Sequence, residues 1–317
     1  MRYAIVLMNL GGPDSIDAIE PFLYNLFSDP DIFKIPIGQR LFAKLISRSR
    51  APKVAEEYKL IGGKSPINEW TEIQKKMLED KLKSDGIDAK VFIAMRYWKP
   101  LTSETISLIE KEKFDKIILL PLYPHYSITT IGSSFNEWRR QYKGDITKLV
   151  YINEYYLNEK YLAAINQRID EALAKFSEKD QNNVQLVFSA HGTPVSLVKK
   201  GDPYSRQIKE TMEAIMKLRD YSHEYHLCFQ SKVGPQKWLE PSTDKMIEKL
   251  AAEDKKYLLV IPISFVSDHI ETLYELDIEY RHIAEKVGIK NYIVMKGLND
   301  SELFIEALSD LVKNNIN

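Results

Sequence analysis

Two short segments hold the side chains best suited to chemistry. In Phe188-Ser189-Ala190-His191-Gly192-Thr193-Pro194 an apolar run stops and a histidine follows at once. Gly192 and Pro194 set a turn there, and Gly192 leaves room beside the imidazole for a ligand. That imidazole could serve as a base or a metal ligand near neutral pH; it could equally be a turn histidine bonded to backbone. In Phe265-Val266-Ser267-Asp268-His269-Ile270-Glu271-Thr272-Leu273-Tyr274-Glu275-Leu276-Asp277-Ile278-Glu279 a histidine and five acids share one helix start. Glu271, Glu275 and Glu279 stand at i, i+4 and i+8, on one helix face. The row is either a solvated face or, half-buried among Ile270, Leu273, Tyr274 and Ile278, a costly carboxylate ladder that moves protons or metal. One histidine opposite one carboxylate suits a borderline divalent cation such as Fe²⁺, held loosely enough to be handed on.

The remaining candidates are weaker. His125, in Tyr123-Pro124-His125-Tyr126-Ser127, follows a strand end and could border a cleft. His223 and His226 read as packing or surface residues, and His282 as a helix exterior. Trp238 could wall a flat ligand or cap the core.

These side chains need elements to hold them. Continuous apolar runs rich in β-branched residues recur at 3–8, 90–94, 116–122, 149–152, 184–188, 225–229, 257–263 and 292–295. Runs of that kind are strands buried on both faces. Between them, stretches such as 72–83, 159–176 and 205–218 alternate at helical spacing. Strands alternating with helices predict an α/β fold with mainly parallel sheets, and the strands divide four and four. A weak internal repeat supports the division: VLMNLGGP ends at Pro13 and LVFSAHGTP at Pro194, while ILLPLYPHYS around Pro121 resembles LVIPISFVSDH around Pro262. The first half spends about 40 more residues between these marks. The segment 29–60 is the candidate insertion, either a lid or lip or a peripheral helical hairpin. In open sheets of this type ligands bind beyond the carboxyl ends of strands, where both chemical segments fall.

Composition narrows the classes. The chain has 317 residues, 44% of them hydrophobic, and a formal net charge of -1, so no general attraction to nucleic acid is expected. A single cysteine, Cys228, excludes an internal disulfide, a cysteine-based zinc site and a four-cysteine iron–sulfur cluster. There is no GxGxxG after the first strand and no GxxxxGK[ST], so no nucleotide cofactor is expected. The N-terminal apolar run is too short to span a bilayer and reads as a core strand, not a signal peptide.

The segments LMNLGGP, EEYKLIGGKSPINEWT, MRYWKP, YPHYS, FSAHGTP, GDPY, QSKVGPQKWLEP and PISFVSDHIETLYELDIEY resemble those of ferrochelatases, from near residue 4 to about residue 312. The resemblance implies a chelatase-like fold: two similar Rossmann-like halves, 1–155 with the lip insertion and 156–317 with the main catalytic residues, and a porphyrin cleft between them. It implies Fe²⁺ insertion into protoporphyrin IX to form protohaem, with Fe²⁺ as substrate rather than resident cofactor. His191 matches the family's active-site histidine, metal ligand or base for the pyrrole N–H protons, and Glu271 the carboxylate that faces it. His269, Asp268, Glu275 and Glu279 match an acidic helix, widened in part to a π-turn, that serves as a proton or metal path. Arg96 and Tyr123 match the metal-side pocket, Phe265 and Trp238 apolar residues near the macrocycle, and Arg50, Tyr58 and Ser65 residues that contact the propionates. Residues 29–50 match the active-site lip, which touches the membrane surface in some members. A cytoplasmic protein, peripheral on the inner membrane face, is the corresponding expectation.

Two departures stand out. The coproporphyrin-using type has Tyr where this chain has Leu10, which puts a metal or porphyrin contact from that site in doubt. Members with a [2Fe–2S] cluster hold it on four cysteines; one of those positions is Ile128 here, and the chain ends at Asn317 without the cysteine-bearing tail. A cobalt or nickel chelatase of the same fold, and a non-catalytic porphyrin or haem carrier, are the competing readings.

Overall fold

The computed structural model describes residues 1–33, 35–232 and 236–316. Lys34 of the lip and Val233, Gly234 and Pro235 of the QSKVGP motif lie outside them. The described chain forms two compact units. One is Met1–Glu154 together with the C-terminal helix from Phe304 onward; the other is Tyr155–Leu303.

Each unit is built on one four-stranded parallel sheet. In the first, β1 (Tyr3–Asn9), β2 (Ala89–Met95), β3 (Lys116–Pro121) and β4 (Leu149–Tyr151) lie in the order β2-β1-β3-β4. In the second, β5 (Gln185–His191), β6 (Tyr225–Gln230), β7 (Tyr257–Pro262) and β8 (Asn291–Val294) repeat it as β6-β5-β7-β8. Every residue of β1 is buried, as expected of a central strand covered by helices on both faces. Helices Glu159–Leu173 and Tyr204–Leu218 alternate with these strands and bury the stripe that their spacing predicts.

Three features depart from the sequence reading. The strand ahead of the central histidine does not stop at Phe188. Ser189, Ala190 and His191 continue the ladder opposite Cys228, Phe229 and Gln230, so His191 is the last strand residue and not a turn residue. Small side chains at 189 and 190 mask this, because they break the apolar pattern without breaking the backbone pairing. Next, the last helix, Glu302–Ile316, groups with the first unit and not with a 156–317 half. Ser309 Oγ and Lys313 Nζ bond to Asp85 at 3.2 and 3.0 Å, and Lys116 Nζ reaches the Ile316 carbonyl at 3.4 Å. Finally, the 29–60 insertion is dominated by one 22-residue helix, Gln39–Leu60. The Phe27, Phe33 and Phe42 rings pack at its base with centroids 5.2–6.4 Å apart. Ile37, just ahead of this helix, and Leu41 and Leu45, spaced i and i+4 on it, stand exposed.

Candidate active site

The site residues of the second unit gather beyond the carboxyl ends of β5, β6 and β7. His191 ends β5, and its Nε2 lies 3.8 Å from Glu271 Oε1. Glu271 opens a π-helix, Glu271–Glu279. Such helices are rare and favour functional sites. His269 stands just before it, with Nε2 3.8 Å from the other Glu271 oxygen. Phe265 lies edge-on to both imidazoles, 4.5 Å from the His269 ring centroid and 6.4 Å from that of His191. The structure thus brings His191, Phe265, His269 and Glu271 together, and Glu275 follows one helix turn on.

The backbone of His191 is held from both sides. Its N–H donates to Ser264 Oγ at 2.9 Å, and the Tyr204 hydroxyl donates to its carbonyl at 3.0 Å. Gly192 does not leave space for a ligand, contrary to the expectation from its size. A Cβ there would come 2.7 Å from the Gln230 carbonyl oxygen and 3.3 Å from Trp238 Cε3. The glycine is required because β6 and the tryptophan already fill that side. Trp238 pairs with Pro194 in an antiparallel bridge and is 9% exposed. It therefore caps this end of the fold.

The proton inventory is informative. His269 is buried, and its Nδ1 lies 3.1 Å from the Ser267 carbonyl, which can only accept; Nδ1 therefore carries a hydrogen. Its Nε2 then faces the Glu271 carboxylate. Burial raises the Glu271 pKa, but the charges of His191 and His269 together outweigh it and hold the carboxyl below its ordinary range. Glu275 is pushed the other way, by burial and by the Glu271 charge. It accepts from the Ser231 backbone N–H at 2.8 Å, the Ser231 hydroxyl at 2.5 Å, the Tyr280 hydroxyl at 3.0 Å and Gln230 Nε2 at 3.1 Å. Ser231 presents its two donors from a left-handed backbone, φ 62°, a conformation a serine rarely adopts without compensating contacts. Gln230 also donates to the Glu271 carbonyl, so one amide spans both acids. Glu279 is exposed, so the row runs from a half-buried end to a solvated one.

The first unit carries the other candidates, also near the carboxyl ends of its strands. Leu10 follows β1, its N–H bonded to Asn9 Oδ1 at 2.8 Å, and its carbonyl accepts from Tyr97 N–H. Arg96 follows β2 and does not present a free guanidinium. It contacts Asp29 at 3.0 Å, Ser133 Oγ at 2.8 Å and Glu137 at 3.8 Å. Asp29 is fully buried and also accepts from the Tyr97 hydroxyl at 2.6 Å. A buried carboxylate of this kind demands such pairing, so Arg96 anchors the start of the lip. Ser65 is buried against Gly12, where a Cβ would come 2.5 Å from it. Tyr58 is 2% exposed, and Tyr123 packs half-buried against the first core. Arg50 is exposed, its guanidinium 5.8 Å from the Phe27 ring centroid. His125 is buried, which pushes its pKa down to about 3, so it is neutral at ordinary pH. His282 is exposed, and His226 Nε2 bonds to Gln185 at 3.0 Å. Gln230, Ser231, Ser264, Tyr204 and Asp29 were not singled out from sequence. The QSK and GDPY motifs were the available signal for three of them.

Among the described residues no group of three or more His, Cys, Asp or Glu is arranged to hold a metal ion. Imidazole and carboxylate bonds to a borderline divalent ion are about 2.1 Å, so two ligand atoms 3.8 Å apart can share one ion. A pair of ligands suits transit rather than storage. Cys228 is buried in β6, and burial raises its thiol pKa to about 12.

Two parallel sheets with the same strand order, and a metal-compatible pair at one strand end, define a chelatase-like α/β protein. SirB from Bacillus subtilis shares this fold, with a TM-score of 0.58 at 13% identity over 99% of this chain and 95% of that one. So does CbiX, the terminal enzyme for biosynthesis of siroheme in denitrifying bacteria, with a TM-score of 0.52 at 11% identity over the whole of both chains. The ferrochelatase family model matches residues 2–316. Ferrochelatases from Geotalea daltonii and Aquifex aeolicus are 49% and 47% identical, covering 98% and 100% of this chain and 97% and 100% of theirs. The chain belongs to the ferrochelatase family, enzymes that insert Fe²⁺ into a porphyrin to form haem.

Proposed function

We propose that this chain inserts Fe²⁺ into protoporphyrin IX, with His191 accepting a pyrrole proton and Glu271, braced by His269, holding the complementary charge and lending a ligand to the arriving iron. The observation that carries this is the Glu271 carboxylate flanked by two imidazoles at 3.8 Å each. A flat porphyrin hides its nitrogen lone pairs and keeps two N–H protons. Insertion therefore needs a bent macrocycle and two places for protons. Binding contacts remote from the nitrogens supply the bending. A half-exposed base at a strand end supplies one proton acceptor. The row Glu271, Glu275, Glu279 leads protons toward solvent. Protoporphyrin IX and Fe²⁺ are the substrates, and no nucleotide or iron–sulfur cluster enters the scheme.

An anaerobic assay with Fe²⁺ and either protoporphyrin IX or coproporphyrin III tests the reading. Protohaem should form without nucleotide, and faster than the coproporphyrin product. Porphyrin binding without any metalloporphyrin would mean a carrier. Insertion of Co²⁺ or Ni²⁺ but not Fe²⁺ would mean a different chelatase.

The lip adds a surface for a hydrophobic substrate's source. No helix among the described residues is long and apolar enough to cross a membrane. Ile37, Leu41 and Leu45 are nonetheless exposed beside Arg40, Lys44 and Arg48, a pattern that suits a peripheral anionic bilayer. Leu41→Glu with Leu45→Glu should weaken cosedimentation with phosphatidylserine vesicles by about tenfold or more, since each buried leucine is worth ~1.5–3 kcal/mol. Unchanged binding would remove the membrane from the account.

A further inference from the structure

We infer that Asn299 and Asp268 form a positioning lock for the catalytic helix, and that Asp268 is a bracket rather than part of a proton or metal path. The inference rests on the reading of His191, His269 and Glu271 as the reacting site. Asp268 lies one residue before His269 and three before Glu271, but its carboxylate is occupied by other partners. Oδ1 accepts from the Thr272 hydroxyl at 3.0 Å and the Gly297 N–H at 3.1 Å, while Oδ2 accepts from Asn299 Nδ2 at 2.7 Å. The Asp268 N–H returns a bond to Asn299 Oδ1 at 2.9 Å. One amide side chain therefore pairs with both the carboxylate and the backbone of the same residue.

The partner loop is built for this contact. Asn299 is fully buried in a left-handed conformation, φ 41°, which asparagine and aspartate tolerate better than most residues. Its N–H is tied to the Val266 carbonyl at 2.9 Å. A Cβ on Gly297 would sit 2.9 Å from the Asp268 nitrogen, so only glycine allows the loop this close. Arg168 fixes the same loop from helix Glu159–Leu173, through the Leu298 carbonyl at 3.2 Å and Asp300 at 2.8 Å. On the other side, Thr272 relays the bracket into the helix, since its hydroxyl accepts from the His269 N–H at 3.0 Å. The lock thus sets where His269 and Glu271 stand.

Exchange of the two side chains separates a bracket from a path. Asp268→Asn alone sets amide against amide, and Asn299→Asp alone sets carboxylate against carboxylate. Each should lower kcat by about 10–100-fold, the scale of a ~1 Å misplacement, with KM for porphyrin little changed. The double exchange Asp268→Asn with Asn299→Asp restores every donor to an acceptor while moving the charge off position 268. It should recover kcat to within about threefold of wild type and recover the Tm as well. If the double exchange stays as inactive as Asp268→Asn, folded or not, the lock is wrong, because the charge at 268 itself would be what the enzyme uses. Full activity in either single exchange would overturn it too. Wild-type haem formation in the same assay checks the underlying reading separately: its absence would condemn the proposed function, not the lock.

Discussion

His191→Ala should lose haem formation by about 10³-fold in kcat, inside the 10²–10⁴-fold range of a positioned base, while porphyrin binding followed by fluorescence stays within about threefold of wild type. The reason is placement. The imidazole ends a central strand, its two flanking peptide groups are pinned by Ser264 and Tyr204, and its Nε2 faces Glu271. His269→Ala should behave differently. That ring is buried, and its contribution runs through Glu271, whose pKa it helps to lower. Loss of the ring lets the Glu271 pKa climb, so the carboxylate begins to take up a proton at higher pH. The acid limb of the kcat profile should therefore move upward in pH, with measurable activity left on the alkaline side. Near-normal kcat in His191→Ala would overturn the assignment of the central residue. An unmoved acid limb in His269→Ala would remove His269 from the electrostatics of Glu271.

Much of this was readable in the sequence, for a physical reason. Parallel strands covered on both faces must be apolar throughout, so YAIVLM and YLLVIP announce themselves as β1 and β7 without further context. The same rule failed at β5, where Ser189-Ala190-His191 keep the strand pairing with side chains that no hydropathy pattern assigns to a strand. The acidic row was legible as a spacing. Its opposing pKa shifts were not, because they depend on burial and on the charge of His191, which lies 80 residues away in the chain from Glu271. Arg96 shows the same limit. Its type and motif marked it as a site residue, but its commitment to Asp29 is a contact across 67 residues of chain. Local periodicity finds elements; side-chain pairs between distant segments decide what the elements present.

Glu271→Gln should cost about 10²–10³-fold in kcat at neutral pH, within the general acid–base range, and Glu275→Gln far less, with a deficit that depends on pH. The two acids are neighbours on one helix whose surroundings push them apart. Glu271 is drawn down by two imidazoles, so its amide variant lacks a charge that the native residue carries at neutral pH. Glu275 is raised by burial and by the charge of Glu271, so it keeps its proton above the ordinary glutamate value of about 4.3. Two carboxyls pushed in opposite directions are an acid and a base in the making. Glutamine resembles a protonated glutamate. Glu275→Gln should therefore be nearly silent at low pH, where the native residue is protonated, and lose activity progressively as pH rises through the Glu275 pKa. The sign for stability follows the same linkage. A carboxyl with a raised native pKa contributes stability that is present below its unfolded value and lost as pH rises through the folded one. Since glutamine cannot ionise, the Tm deficit of Glu275→Gln relative to wild type should shrink with rising pH, even as its activity deficit grows. Opposite trends in one variant are hard to produce by misfolding alone. Steady-state Fe²⁺ insertion and thermal melts from pH 5 to 9 on wild type, Glu271→Gln and Glu275→Gln measure both. A Glu275→Gln deficit that is flat across that range would mean Glu275 does not exchange a proton during turnover, and that the row past Glu271 is only a brace for Ser231 and Gln230.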